Sequence, residues 1–372
     1  MTEAPAPLSP VETDRLLRWF ATRRRDLPWR RDRSPYSVWV AEVMLQQTRV
    51  ETVIPYYRRW LERFHTVHDL AAAPLADVLK LWEGLGYYSR ARHLHAAARR
   101  VVDDFGGEFP HRTEEIALLP GVGPYITAAI ASIAWGQECP VLDGNVARVT
   151  ARRFAISGRI DRQATRRLML ESLRGSMAGV PAGDFNEALM ELGETTCTPA
   201  DPACPDCPLQ TGCRARAEGL VAELPVRPPS REVPWYQVAV AVLVRTDGAI
   251  YVQQRPERGH LGGLWEFPGG KARGGEPLTA AVTRECREEL GIPIRVVAPA
   301  GRVHHRYTHF RIDLTAFVCR FQGDFKPPAQ THRWIRWTER QALPFPTANH
   351  KLFRPIETAL AVHAPEALIP VP

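Results

Sequence analysis

The chain has 372 residues, 45% of them hydrophobic, which suits two globular domains of ordinary size and excludes a chain too polar to bury a core. No run approaches the roughly 18 apolar residues that a membrane span needs, and the opening MTEAPAPLSP lacks the basic start and apolar stretch of a secretory signal, so a short disordered lead-in and a cytoplasmic, monomeric protein are expected. The net charge of +7 favours a polyanionic partner only weakly, and it is unevenly placed: residues 1–225 hold 28 basic and 28 acidic residues, whereas residues 226–372 hold 20 against 13.

Residues 11–220 read as mostly helical. Segments 36–47, 74–83, 88–104, 124–135 and 144–155 carry apolar residues at helical spacing, separated by short turns with Pro or Gly. In the first, Trp39-Val40-Ala41-Glu42-Val43-Met44-Leu45-Gln46-Gln47-Thr48 sets Glu42 among Val38, Val40, Val43 and Leu45. A lone Glu on a helix is commonly a solvated charge. Burial among those neighbours would instead raise its pKa toward the working range of a general acid. A second phrase follows at Trp82-Glu83-Gly84-Leu85-Gly86-Tyr87-Tyr88-Ser89-Arg90-Ala91-Arg92. Then Leu119-Pro120-Gly121-Val122-Gly123 precedes an Ala-rich helix. Glycines at Gly121 and Gly123, bracketing Val122, let backbone approach closely, and the helix start offers unpaired amides. Such a phosphate site needs no side-chain charge, although an ordinary helix–turn–helix corner has the same look. Asp143, entering the next helix in Val141-Leu142-Asp143-Gly144-Asn145-Val146, reads on its own as an N-cap.

Four of seven cysteines crowd into one loop: Cys197, Cys204, Cys207 and Cys213, spaced C-x6-C-x2-C-x5-C. Four thiolates can hold a tetrahedral zinc or a [4Fe–4S] cluster. One CxxC flanked by longer arms fits the wider corners of a cube better than zinc's usual paired CxxC. Cys139, Cys286 and Cys319 are isolated and read as core residues.

Residues 222–234 hold four prolines without apolar periodicity and read as a linker. The domains expected are therefore a helical one at 1–221 and an α+β one at 235–372. In the second, Tyr236–Val244, Ala249–Gln253, Arg311–Arg320 and Trp334–Trp337 look like strands, and one helix at about 277–290 interrupts them. Gly262-Gly263-Leu264-Trp265-Glu266-Phe267-Pro268-Gly269-Gly270 opens a pattern that continues through Glu276 to Arg284-Glu285-Cys286-Arg287-Glu288-Glu289-Leu290-Gly291-Ile292. It satisfies G-x5-E-x7-R-E-U-x-E-E-x-G-U, with Cys286 at an aliphatic position, and so resembles the Nudix box. Nudix hydrolases use such glutamates to bind magnesium. Glu285, Glu288 and Glu289 admit two readings: a magnesium or manganese site, or a scaffold in which Arg284 pairs a glutamate. The histidine pair His304-His305 also admits a metal-ligand reading.

The cysteine spacing resembles the cluster loop of the endonuclease III superfamily of DNA glycosylases. There, the glycine hairpin is a helix-hairpin-helix, and the aspartate twenty residues beyond it is catalytic. The phrases around Glu42 and Trp82–Arg92 resemble the adenine glycosylase (MutY) family, over essentially the full chain. The resemblance implies an all-α helix-hairpin-helix domain with a [4Fe–4S] loop, followed by a Nudix-like domain that reads 8-oxoguanine. It implies that Glu42 protonates adenine while Asp143 stabilises the sugar cation, with Tyr125 and Asn145 beside them. Trp29, Arg30 and Glu187 would surround the extruded adenine. Gln47, Thr48, Leu85 and Tyr87 match positions that fill the gap and contact the opposite base. Tyr307-Thr308-His309 stands where the family has Phe-Ser-His. Bifunctional members place a lysine two residues after the second hairpin glycine. This chain has Tyr125 there and Lys80 as the sole lysine of its first half, so Schiff-base chemistry is not expected. The partner implied is duplex DNA with adenine opposite 8-oxoguanine or guanine. A Nudix pyrophosphohydrolase with a helical tether, and a non-catalytic damage sensor, are the competing readings; the retained Glu42 and Asp143 argue against both.

Overall fold

The computed structural model describes residues 4–229, 232–257, 259, 261–322, 325 and 330–369. The chain forms two compact units: Met1–Ala72 with His93–Ser230, and Ala73–Arg92 with Arg231–Pro372.

The first unit is helical, as its periodicity predicts. Helices Pro35–Leu45, Pro124–Ile133 and Gly144–Phe154 fall within two residues of the expected segments. Pro35–Leu45 buries nearly its whole length, with Trp39 and Val40 fully enclosed, so it is a central rather than a surface helix. Helix Pro124–Ile133 packs against it, and Ala182–Thr195 packs against Pro124–Ile133, with Gly183 at the contact. At Gly183 a Cβ would stand 3.0 Å from the backbone of Ser132 and Ile133, so any larger residue would push that approach apart by a few tenths of an ångström.

The lead-in expected to be disordered is pinned over its described part. Ser9 and Glu12 form a reciprocal capping box at the start of helix Pro10–Arg23. The Leu8 amide donates to Ser176 Oγ at 2.8 Å, Ser172 Oγ donates to the Pro5 carbonyl at 2.9 Å, and Leu8 is buried. Residues 1–3 lie outside the described residues. The expected linker also begins later than its prolines suggest. Leu224 is buried, its carbonyl accepts from Arg152 Nε, and the Val226 carbonyl accepts from the Ile160 amide. Residues 230 and 231 of that linker lie outside the described residues.

In the second unit, strands β1 (Trp235–Leu243), β2 (Ile250–Gln254), β3 (Trp265–Glu266), β4 (Gly269–Lys271), β5 (Ile294–Arg306), β6 (Arg311–Phe321) and β7 (His332–Ile335) form two sheets, ordered β4-β1-β6-β5 and β3-β2-β7. The apolar run of β1 is explained by burial on both faces. Val240 and Val242 point into one core, with Ile356 and Leu360 of helix Thr347–His363. Ala239, Ala241 and Leu243 point into the other, beneath helix Leu278–Leu290.

Helix Thr347–His363 is a second helix in a half where the sequence pattern predicts only one. Pro355 sits in its interior, where proline normally breaks a helix. That ring packs against β5 at Gly301, where a Cβ would come within 2.4 Å of Pro355 Cβ. Strand β7 ends at Ile335, and Trp337 opens a short 3-10 helix instead of closing the strand.

The units also differ from the expected division at 221. Residues 73–92 belong with the second unit because their polar groups are satisfied there. Glu83 accepts from the Phe345 amide at 2.8 Å and pairs with Lys80 at 2.6 Å and His350 at 2.7 Å. Lys80 Nζ and Tyr88 Oη donate to the carbonyls of Leu343 and Phe345. The helical periodicity of 74–83 is correct, at Leu75–Leu81, but it says nothing of which core receives Val78 and Leu79.

Candidate active site

Glu42 lies on the central helix Pro35–Leu45 and is 5% exposed. Burial pushes its carboxyl up to about 7; Tyr125 and Arg30 oppose the rise, while the nearby Asp143 and Glu187 charges add to it. The Tyr125 hydroxyl donates to Glu42 Oε2 at 2.6 Å and lies 3.3 Å from Met190 Sδ. Tyr125 is itself driven well above the ordinary phenol range by burial and by the Glu42 and Asp143 charges. It therefore stays a neutral donor. Glu42 exchanges its proton near neutrality, the property a general acid needs.

Asp143 takes the N-cap position that the sequence suggested. It is the N-cap of helix Gly144–Phe154, accepting from the Val146 amide at 2.7 Å. Burial raises its pKa, while the Val146 and Asn145 amides and Arg148 pull it back. Amides at a helix start stabilise the anion, so this carboxylate is suited to face a developing cation. Asn145 brings its amide to Asp143, but its side chain is turned elsewhere: Nδ2 donates to Glu194 at 3.1 Å, and Oδ1 accepts from Arg148 at 2.8 Å.

The hairpin is built as its glycines suggest. The Val122 amide donates to the Leu119 carbonyl, Gly121 adopts φ +74°, and a Cβ there would strike His93. Gly123 is the N-cap of helix Pro124–Ile133, with open space where a Cβ would stand.

Trp29 is buried edge-on against Tyr57, and Arg30 pairs with Glu187 at 3.1 Å and Glu191 at 2.9 Å. Arg33 also pairs with Glu187 and with Asp184, and Arg25 with Glu191. Arg25, Arg33 and Glu191 escaped the sequence reading. The i, i+4 spacing of Glu187 and Glu191 on one buried helix face was the available signal.

Gln47 and Tyr87, two of the proposed gap-filling residues, hold φ +57° and +48°, a region uncommon for residues other than glycine. Gln47 is exposed, Thr48 half-buried, and Leu85 buried. In the second unit, Tyr307 packs against His305 and Phe310 at the turn between β5 and β6, with Thr308 and His309 exposed at its tip. His304 and His305 point to opposite faces of β5. His304 meets Asp313, and His305 meets Lys351 and Tyr307, so they do not form the metal pair considered from sequence.

All four clustered cysteines line one pocket, together with Arg152 and Arg216. Burial pushes the Cys207 thiol up to about 12, helped by the other three. Among the described residues, no three His, Cys, Asp or Glu side chains close on a single-ion site. Arg152, 2% exposed, points Nη1 at Cys197 Sγ (3.4 Å) and donates to the Thr198 and Pro199 carbonyls of the same loop. Four converging soft donors beside a buried cation fit an anionic thiolate-bound group. Arg148 and Arg152, at i, i+4 behind Asp143, were not singled out from sequence.

Three of the Nudix-box glutamates, Glu276, Glu285 and Glu288, share one partner, Arg284. Arg284 donates to Glu276 at 2.9 Å through both Nε and Nη2, to Glu285 at 2.7 Å and to Glu288 at 3.1 Å. Those bonds drive Glu276 down to about 2. Glu289 accepts from Gln253 Nε2 and the Gly269 amide.

Residues 40–174 match the HhH-GPD superfamily base excision DNA repair protein model, and residues 239–354 match the NUDIX domain model. An adenine DNA glycosylase of Homo sapiens is 38% identical over 91% of this chain and 72% of its own length. One of Rattus norvegicus is 36% identical over 92% of this chain and 77% of its own length. A solved structure of a thermostable thymine-DNA glycosylase, 28% identical, superposes with a TM-score of 0.51 over 55% of this chain and 95% of that one. With likeness of this extent across both units, the chain belongs to the adenine DNA glycosylase family.

Proposed function

We propose that this chain is a monofunctional glycosylase that hydrolyses the N-glycosidic bond of adenine mispaired with 8-oxoguanine or guanine in duplex DNA. The observation that carries it is Glu42: a buried carboxyl poised at about 7 and hydrogen-bonded to Tyr125, with Asp143 near enough to shift it. Glu42 gives its proton to a nitrogen of adenine's imidazole ring. The bond from that base to C1′ breaks, and its electron pair leaves with adenine. Asp143 stabilises the sugar cation, or captures it as an ester in the manner of a retaining glycosidase. Water then bonds to C1′, displacing Asp143 as a carboxylate where an ester had formed; its oxygen becomes the 1′-hydroxyl of the abasic site and its other proton passes to Glu42.

Adenine must leave the duplex for this to happen, and Trp29, Arg30 and Glu187 are the groups that would receive it. Gln47, Thr48, Leu85 and Tyr87 take the part of filling the gap. Tyr307, Thr308 and His309 read the opposite base, and the Gly121–Gly123 amides hold a phosphate. Strand cleavage through an imine is disfavoured: Tyr125 occupies the lysine position, and Lys80 Nζ is held by Glu83 and the Leu343 carbonyl. Cys197, Cys204, Cys207 and Cys213 would hold a [4Fe–4S] cluster, which supplies structural cross-linking and one-electron chemistry when bound.

The test is incubation with duplexes bearing adenine opposite 8-oxoguanine, guanine or thymine, followed by scoring of nicks before and after alkali. Adenine release from the first two, with nicks only after alkali, is expected. A high yield of borohydride-trapped enzyme–DNA adduct would refute the monofunctional reading.

A further inference from the structure

The four-stranded sheet of the second unit is covered unevenly. On one face, helix Leu278–Leu290 packs over Ala239, Ala241, Leu243, Phe317 and Cys319. Cross-strand register places Trp235, Arg311 and Arg306 in one row at the far end of that face, with Gln237, Asp313 and His304 in the next. This end is bare. Trp235 is 54% exposed, and Arg306 and Arg311 are exposed.

The charges here are not balanced as on an ordinary solvated sheet. Asp313 is engaged by Arg302 and His304. Among the described residues, neither Arg306 nor Arg311 has a carboxylate partner, although they stand directly opposite each other across β5 and β6. Like charges directly opposed across a ladder destabilise it. A polyanion laid across the row would remove that repulsion and use both guanidinium forks. The neighbouring Trp235 ring offers an apolar surface for a sugar. The pair also flanks the Tyr307–His309 tip, since β5 ends at Arg306 and β6 begins at Arg311.

We propose that this bare row, Arg306, Arg311 and Trp235, docks the phosphate backbone of duplex DNA beside the lesion-reading tip. It rests on the DNA-repair reading above and adds a sequence-independent grip to the base-reading role of the tip. It also gives two of the basic residues behind the second half's charge excess a polyanionic partner.

The experiment uses the full chain with R306T/R311T, R306K/R311K and W235A. Dissociation constants are measured for an undamaged duplex, a lesion duplex and a single strand, across a series of potassium chloride concentrations. The threonine pair should weaken both duplexes about equally and flatten the log Kd against log salt slope by about 0.9 for each phosphate no longer neutralised. The lysine pair should keep the slope, which separates loss of charge from loss of folding. W235A should weaken duplex binding severalfold with the slope unchanged. An unaltered slope in the threonine pair overturns the proposal, as does a loss confined to the lesion duplex or to the single strand. Adenine release that persists with an unaltered slope would leave the glycosylase reading intact while this one fails.

Discussion

Two groups of carboxylates in this molecule have nearly the same chemistry and opposite fates. In the first unit, Glu42 is enclosed by an apolar helix with a phenol as its hydrogen-bond partner, and its pKa climbs to about 7. In the second, Glu276 is held by Arg284, which bonds to it twice, and its pKa falls to about 2. The first group can hold and release a proton near neutrality. Glu276 stays ionised there, bonded to a guanidinium. Residue type and motif therefore do not set a carboxyl's pKa; the balance of burial against nearby positive charge does.

The strongest way to break this contrast is Glu42→Gln. Single-turnover adenine release should fall about 10³-fold, with DNA binding retained, because the acid is gone and the surface unchanged. The same variant should be more stable in alkali. A carboxyl whose folded pKa is raised contributes its full stability below about 4.5 and loses it as pH rises through about 7. At pH 8, removal of that buried charge should raise stability by up to about 3 kcal/mol, read from thermal melts. Release within tenfold of the parent would end the assignment of Glu42 as acid.

Asp143→Asn keeps an N-cap side chain, since asparagine caps as well as aspartate, but removes the anion. Release should fall about 10²-fold with the melting temperature nearly unchanged. A large drop in melting temperature would mean that the carboxylate is structural.

Tyr125→Phe removes a bond that favours the ionised form of Glu42. The alkaline limb of the pH–rate profile, expected at about 7 in the parent, should move upward while the maximal rate changes severalfold. A downward move would show that Tyr125 favours the protonated form.

In the second unit, Arg284→Ala should release Glu276, Glu285 and Glu288 from their common partner. Manganese titrated into the full chain should then broaden resonances near these residues more in the variant than in the parent. Equal broadening in both would show that the parent box already binds the ion.

The smallest effect concerns the boundary. A chain ending near Pro229 should still release adenine but lose preference for 8-oxoguanine, because Tyr307, Thr308 and His309 are gone. It should also melt several degrees lower, because Glu83 and Tyr88 lose their partners at Phe345 and His350. Unchanged melting would mean that residues 73–92 are secured within the helical unit.

Much of the fold was legible because it rests on local pattern. The helices at 35–45, 124–133 and 144–154 follow apolar spacing, and β1 follows a run of β-branched and small apolar residues. The candidate acid was legible as well, since Glu42 has only apolar neighbours in sequence. Helix Thr347–His363 was hidden by Pro355, whose cost is offset by a partner at Gly301, more than fifty positions away. Strand β5 was hidden by its bulges near Val296 and Pro299, which break strict alternation.

What the sequence determined by itself is the set of chemical parts: two carboxylates, a glycine hairpin, four thiols at one spacing, and a complete Nudix pattern. Their use was decided by tertiary structure, because solvation and pairing are long-range properties. Tyr125 reaches Glu42 across 83 positions, Arg30 reaches Glu187 across 157, and Glu83 meets the Phe345 amide across 262. Each of these pairings brings a carboxylate a partner that shifts its charge state or fixes its place. No local window of sequence contains both members of any such pair.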